Sequence, residues 1–175
     1  MAGCCVLPAS DETASEAGIS TRRGSEYCPS CGAKGKRVEL ATVKAMLGVS
    51  LRRLGSRRYR FCGTAACPVV YFAEDADEVF TVDEVRERVF QKEPEADDVF
   101  VCYCFRHTQG ALRQAGALGQ ASIIEEIEAG IQAGQCACEL RNPQGSCCLG
   151  NVRAVMSGVA HQAVQGPAGA VRGQP

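Results

Sequence analysis

The chain has 175 residues and a mass of 18.5 kDa, with 19 Lys and Arg against 20 Asp and Glu, no Trp and 12 Cys. A net charge of −1 and a pI near 6.1 exclude a protein that holds nucleic acid by non-specific positive charge, and aromatics at 6% are too sparse for base-stacking platforms. No stretch approaches the roughly 18 to 20 apolar residues of a membrane span.

Residues 1–26 are small and polar, carry the dipeptide Cys4-Cys5, and read as a disordered arm. They show no basic leader, and their apolar stretch Val6–Pro8 is too short for an export signal. A cytoplasmic protein is therefore expected, in a compartment that keeps thiols reduced, and cysteine-rich pairs there point to metal or cluster binding rather than disulfides.

Order is expected to begin at Tyr27-Cys28-Pro29-Ser30-Cys31-Gly32, a tight turn between two thiols. Residues 38–47 are mixed in pattern, and an arginine-rich stretch follows with Arg52, Arg53, Arg57, Arg58 and Arg60, read as a hydrated edge. Residues 59–62 and 69–72 are β-prone runs joined by a turn over 63–68, a hairpin-like unit to which residues 79–81 add a third strand. Residues 74–98 hold 11 acidic side chains against 3 basic ones and include Pro94, a composition that predicts a short helix over 82–89 followed by a linker over 93–100. Thr108 is the expected N-cap of a helix running to about Leu118. Ser122-Ile123-Ile124-Glu125 has the form of a capping box, and Ile123, Ile124, Ile127 and Ile131 recur at helical spacing, predicting a core-facing helix over 123–133 that Gly134 stops. Asn142-Pro143-Gln144-Gly145 is a turn signal, and a last short helix is expected over 148–159 before a flexible tail over 161–175.

The thiols fall into two sets. In the first, Cys28-x2-Cys31 and Cys62-x4-Cys67 place four thiols on two turns, the arrangement that tetrahedral Zn²⁺ requires. A closed set of four sulfurs leaves no position for a reactive water, so such a site is structural, and its binding energy offsets the ordering cost of a small domain. A rubredoxin-like iron is the rival with the same ligands. In the second set, Cys102-x-Cys104, Cys136-x-Cys138 and Cys147-Cys148 offer six thiols. A one-residue gap is short for a zinc knuckle but suits one iron of a [2Fe–2S] core, with another pair holding the second iron. A second zinc, or a transient soft ion such as Cu(I) or Hg(II), competes with that reading.

The runs Cys102-Tyr103-Cys104-Phe105, Cys136-Ala137-Cys138-Glu139, residues 142–148 and Val69-Val70-Tyr71-Phe72 resemble the N-terminal domain of the archaeal copper chaperones that carry zinc and a [2Fe–2S] cluster, and the related bacterial iron–sulfur metallochaperones. The match spans residues 27–155. The second half also resembles, more loosely, the bacterioferritin-associated ferredoxin domain. The resemblance implies zinc on Cys28, Cys31, Cys62 and Cys67, and a cluster on Cys102, Cys104, Cys138 and Cys148, with Cys136 and Cys147 as substitutes. One departure is that nothing in the sequence matches the Met-x-Cys-x-x-Cys loop of the copper domain that follows in the archaeal chaperones.

The expectation is thus an α+β protein: a zinc-stapled β-containing domain over 27–92 and a mainly helical [2Fe–2S] domain over 101–160. Cys4 and Cys5 form a candidate transient soft-metal site. His107 is expected beside the cluster or at a helix start rather than as a ligand, and His161 in solvent. No catalytic constellation is present, so a non-enzymatic metallochaperone for copper or a similar soft ion is expected, with a protein acceptor or redox partner. The alternative is a ferredoxin-like electron carrier.

Overall fold

A computed structural model describes residues 25–158. Cys4, Cys5 and His161 lie outside the described residues, as do residues 1–24 of the expected arm and all of the expected tail. Ser25 and Glu26, placed in that arm by their composition, are tied to the first lobe: Ser25 N donates to Glu74 O at 2.6 Å, and Glu26 O accepts from Gly35 N at 2.8 Å.

The first lobe is a four-stranded antiparallel meander, β1 (Lys36–Val38), β2 (Tyr59–Phe61), β3 (Val69–Ala73) and β4 (Val79–Thr81), in spatial order β1-β2-β3-β4. The three expected strands are present, and β1 joins them at the edge. All five β3 residues are buried, because both faces of this central strand are covered. One face packs Tyr59, Phe61, Tyr71 and Phe80 against Val43, Met46 and Leu47. Val43 and Met46 come from helix α1 (Leu40–Met46), which Leu47 closes, and the helix's buried residues Thr42, Val43 and Met46 fall at i, i+1 and i+4, one face of a helix. The other face packs Val69 and Phe72 against Cys28, Cys62 and Cys67.

Two expectations fail in this lobe. Arg60 is not on a hydrated edge but 5% exposed, opposite Phe72 in the ladder, and its Nε donates to Glu74 Oε1 at 2.7 Å while Nη2 donates to Glu26 Oε1 at 2.6 Å. Glu74, itself 6% exposed, is the anion that permits a guanidinium there. Glu74→Ala should therefore cost about 3 kcal/mol, since it leaves the buried guanidinium with only the half-exposed Glu26 carboxylate as counter-ion, and urea unfolding of the zinc-loaded protein would measure it. The second failure is the helix over 82–89. Thr81 and Glu84 form a capping box, but the turn is a single 3₁₀ turn over Val82–Glu84, after which Val85 is extended and bridges to Leu47. Three valines in that window favour the extended chain once a partner backbone is available.

The second lobe starts with a two-stranded ladder, β5 (Phe100–Cys102) and β6 (His107–Thr108), and continues through helices α2 (Gln109–Gln114), α3 (Ala117–Gln132), α4 (Cys138–Arg141) and α5 (Leu149–Met156). Its core gathers Phe90, Val99, Val101, Leu112, Ile127, Val152 and Val155. Thr108 caps α2 as expected, its Oγ1 accepting from Ala111 N at 3.3 Å. That helix ends at Gln114 rather than Leu118. The Ser122 capping box is not a helix start: α3 begins five residues earlier, after Gly116, and Ser122 lies within it. Ala-rich flanking sequence carries the helix backwards past the local signal. Ile127 is 1% exposed, Ile123, Ile124 and Ile131 pack around it, and Gly134 at φ +68° ends the run. The expected linker is bound along its length, with Gln109 Nε2 donating to Glu93 O and Ala96 O and Arg113 donating to Pro94 O and Asp97. Among the described residues no helix is long and apolar enough to cross a membrane.

Candidate metal centres

The ten described cysteines are all free thiols. Cys28 and Cys31 lie on the turn before β1, where Cys28 N donates to Ala33 O and Gly32 N to Cys28 O, both at 2.8 Å. Cys62 follows β2, and Cys67 precedes β3, so the β2–β3 hairpin carries this second pair to the first across one face of the sheet. The four sulfurs all lie within 4.8 Å of one another. Cys28 and Cys67 are 3.8 Å apart, and Cys31 and Cys62 are 3.6 Å apart. A metal–sulfur distance of 2.3 Å makes the edge of a regular tetrahedron about 3.8 Å. The set therefore fits Zn²⁺.

Its electrostatics are uneven. Burial pushes the Cys28 thiol up to about 12, against backbone N–H groups of Cys31 and Ser30 that favour the thiolate. Burial also works against ionisation of Cys31, but the Ala33 N–H, the Thr64 hydroxyl and the neighbouring thiols outweigh it and bring that thiol down to about 6. Cys31 is the exposed member of an otherwise buried set. Lys92 Nζ donates to Thr64 O at 2.8 Å, placing a cation from the interlobe segment beside the Cys62–Cys67 turn.

The second set is assembled from three segments. Cys102 ends β5, and Cys104 lies in the tight return to β6, where Arg106 takes φ +62° and sets its guanidinium over the Phe100 ring at 4.3 Å. Cys138 opens α4 and Cys148 caps α5. Cys104 and Cys138 sulfurs are 3.8 Å apart, and Cys102 and Cys148 lie in the same core cluster. Backbone donors surround the sulfurs: Ala137 N donates to Cys104 Sγ at 3.3 Å, Phe105 and Cys104 N–H groups face Cys102, and the Cys148 N–H faces Cys138. Interaction with Cys148 is the chief cause that lowers Cys138 to about 6 and Cys102 to about 7, and the same interactions raise Cys148. Burial pushes Cys104 up to about 11. Four converging thiols, three of them buried and all within an apolar core, with main-chain N–H groups aimed at sulfur, suit a group of net negative charge.

The remaining candidates stand apart from these contacts. Cys136 is half-buried and Cys147 is exposed. His107 Nε2 lies 3.5 Å from Glu126 Oε2 on α3, so its neighbour is a carboxylate. Sequence reasoning did not identify Tyr71, Thr42 or Tyr103. Tyr103 accepts from Phe90 N at 3.0 Å and donates to Arg88 O at 2.8 Å, fixing the residue between two thiols. The available signal was chemical: a tyrosine inside a buried apolar run needs a partner for its hydroxyl.

Residues 25–86 match the CopZ-type family described as a zinc-binding domain. Over 122 residues the chain is 37% identical to the copper chaperone CopZ of Archaeoglobus fulgidus, an alignment that takes in 69% of this chain and 57% of that one. The chain thus spans little more than half the length of that curated relative. The X-ray structure of the Archaeoglobus fulgidus CopZ N-terminal domain superposes with a TM-score of 0.61 at 33% identity, covering 74% of this chain and 96% of that one. With nearly the whole of that domain matched in fold and sequence, and with four thiols converging where a zinc-binding domain is recognised, the chain belongs to the family of the CopZ N-terminal domain.

Proposed function

We propose that this chain is a cytoplasmic, non-enzymatic metallochaperone that receives and passes on a soft metal ion, copper being the first candidate, with zinc as a structural staple and a [2Fe–2S] cluster as its redox element. Cys28, Cys31, Cys62 and Cys67 would hold the zinc, and Cys102, Cys104, Cys138 and Cys148 the cluster. The observation that carries this reading is the gathering of thiols into two distinct sets, one packed on a face of the sheet and one inside a helical core, in a chain related to a copper chaperone. When bound, the cluster supplies one-electron chemistry. The residues around it supply the rest: Phe105, Cys104, Ala137 and Cys148 aim N–H groups at sulfur, and Val101, Leu112 and Val152 exclude water.

The second reading is a ferredoxin-like electron carrier serving a partner enzyme or metal store, and the burial of Cys102, Cys138 and Cys148 in an apolar core favours it, because that setting suits a resident group better than an exchanged ion. Anaerobic Cu(I) titration of the metal-loaded protein separates the two. A chaperone takes up Cu(I) in stoichiometric amount without losing zinc or iron, and Cys4→Ser/Cys5→Ser weakens that uptake at least tenfold if the arm is the receiving site. Reversible reduction of a visible chromophore with no Cu(I) uptake would instead identify the carrier.

A further inference from the structure

The segment that joins Cys138 to Cys148 carries two thiols of the second set, yet much of what grips it belongs to the first lobe. Tyr71, in the centre of β3 and fully buried, donates from its hydroxyl to Pro143 O at 2.6 Å. Thr42, fully buried on α1, donates from Oγ1 to Glu139 O at 2.7 Å, one residue after Cys138. Lys36 Nζ donates to Ser146 Oγ, and Gln91 Nε2 donates to Gln144 Oε1 at 2.8 Å. Between these grips the turn is stiff: Asn142, 1% exposed, donates from Nδ2 to Ser146 O at 2.7 Å, its carbonyl accepts from Gly145 N at 2.8 Å, and its own N–H donates to Cys138 O at 3.0 Å. Gly145 adopts φ +64° against α1, where a Cβ would stand 3.0 Å from Thr42 Oγ1. The Cys102–Cys104 return is held separately, by Tyr103 on the Arg88–Phe90 backbone.

We propose that Tyr71 and Thr42 are positioning residues: from the zinc lobe they fix the main chain between Cys138 and Cys148, and so set the spacing of those two sulfurs relative to Cys102 and Cys104. A phenylalanine at 71 would fill the same apolar space beside Phe61, whose ring centroid is 6.2 Å from that of Tyr71, so the hydroxyl is what the position adds. A valine at 42 likewise keeps the shape and removes the donor. In each case a carbonyl of the segment loses its partner, and local opening of the segment becomes about tenfold more favourable. The spectroscopic arm of this proposal rests on the cluster reading above; the exchange arm does not.

The test uses the full chain as Tyr71→Phe, Thr42→Val and the conservative control Thr42→Ser. In zinc-loaded protein without iron, amide hydrogen exchange over 139–148 should rise about tenfold in Tyr71→Phe and Thr42→Val, with β2 and β3 amides unchanged and Thr42→Ser behaving as the parent. In protein carrying the chromophore, the same two variants should show a shifted electron paramagnetic resonance signal on reduction and several-fold faster bleaching by an iron chelator, again restored by Thr42→Ser. Exchange that rises equally at 139–148 and in β2 and β3 would reduce both residues to general stabilisers and overturn the proposal, as would exchange at 139–148 equal to the parent's. A parent that never develops a chromophore would sink the cluster reading and leave the exchange result to decide the positioning.

Discussion

Cys62→Ser should empty the first centre and open one face of the meander. In zinc-finger peptides a structural four-ligand site contributes roughly 10 to 16 kcal/mol of apparent binding energy to folding, so one ligand in four carries about 3 to 4 kcal/mol. Cys62 is 1% exposed, and its N–H donates to Val70 O at 2.9 Å, so the replaced side chain sits where the ladder begins and cannot swing out to let water complete the site. What packs against it, Val69 and Phe72, would lose its cover on that side. The opposite face, with α1 on Tyr59, Phe61 and Phe80, does not depend on sulfur and should persist. A loss of this size lowers the melting temperature by about 10 to 20 °C for a unit of this length. Calorimetry with a colorimetric zinc assay would read both effects: near-complete zinc loss, and a first transition moved down while the α1-side core still unfolds cooperatively. Retained zinc and an unchanged melting temperature would mean that the four sulfurs are merely neighbours.

The parts legible in the sequence were those whose signal is local. Cys-x2-Cys and Cys-x4-Cys announce two turns, and four sulfurs within 4.8 Å are where that leads. The runs over 59–62, 69–72 and 79–81 announce strands because β-branched and aromatic residues cluster between turn residues. Apart from the start of α3, where the flanking sequence outweighed the Ser122 signal, the failures were long-range. Arg60 reads as solvated until Glu74, fourteen residues on, is seen buried beside it. Helical character over 82–89 yields because Leu47 offers Val85 a backbone partner. Residues 93–100 read as a linker by composition, but Gln109 and Arg113 of α2 donate to the carbonyls of Glu93, Pro94 and Ala96. Strand β1 and helix α1 are three and seven residues long, too short for periodicity to rise above noise, and their stability comes from packing on the sheet. Which of the six later thiols converge is likewise a property of the turn over 142–145 and of its anchors, Tyr71 and Thr42, in the other lobe.

Cys148→Ser should abolish the second centre, whereas Cys136→Ser and Cys147→Ser should leave it in place. Cys148 is 2% exposed and lies in the same apolar core as Cys102 and Cys138, whereas Cys147, next to it in sequence, is exposed. A serine at 148 offers a harder, weakly acidic oxygen to an ion that prefers thiolate, so assembly loses a ligand at a buried position that no other described thiol can reach by a side-chain rotation alone, Cys147 being exposed. Cys104 and Cys148 both sit above their ordinary range before anything is bound, so loading the parent protein must release protons, and uptake should slow as the medium is made more acidic. The check is reconstitution with ferrous iron and sulfide under anaerobic conditions, followed by absorption and iron analysis. At least a tenfold loss of bound iron is expected for Cys148→Ser and Cys102→Ser, with 70% or more of the parent's iron kept by Cys136→Ser and Cys147→Ser, roughly what a change outside the ligand set permits. Should Cys147→Ser lose the chromophore while Cys148→Ser retains it, the ligand set drawn here is wrong, and the turn over 142–148 must present its other sulfur to the metal.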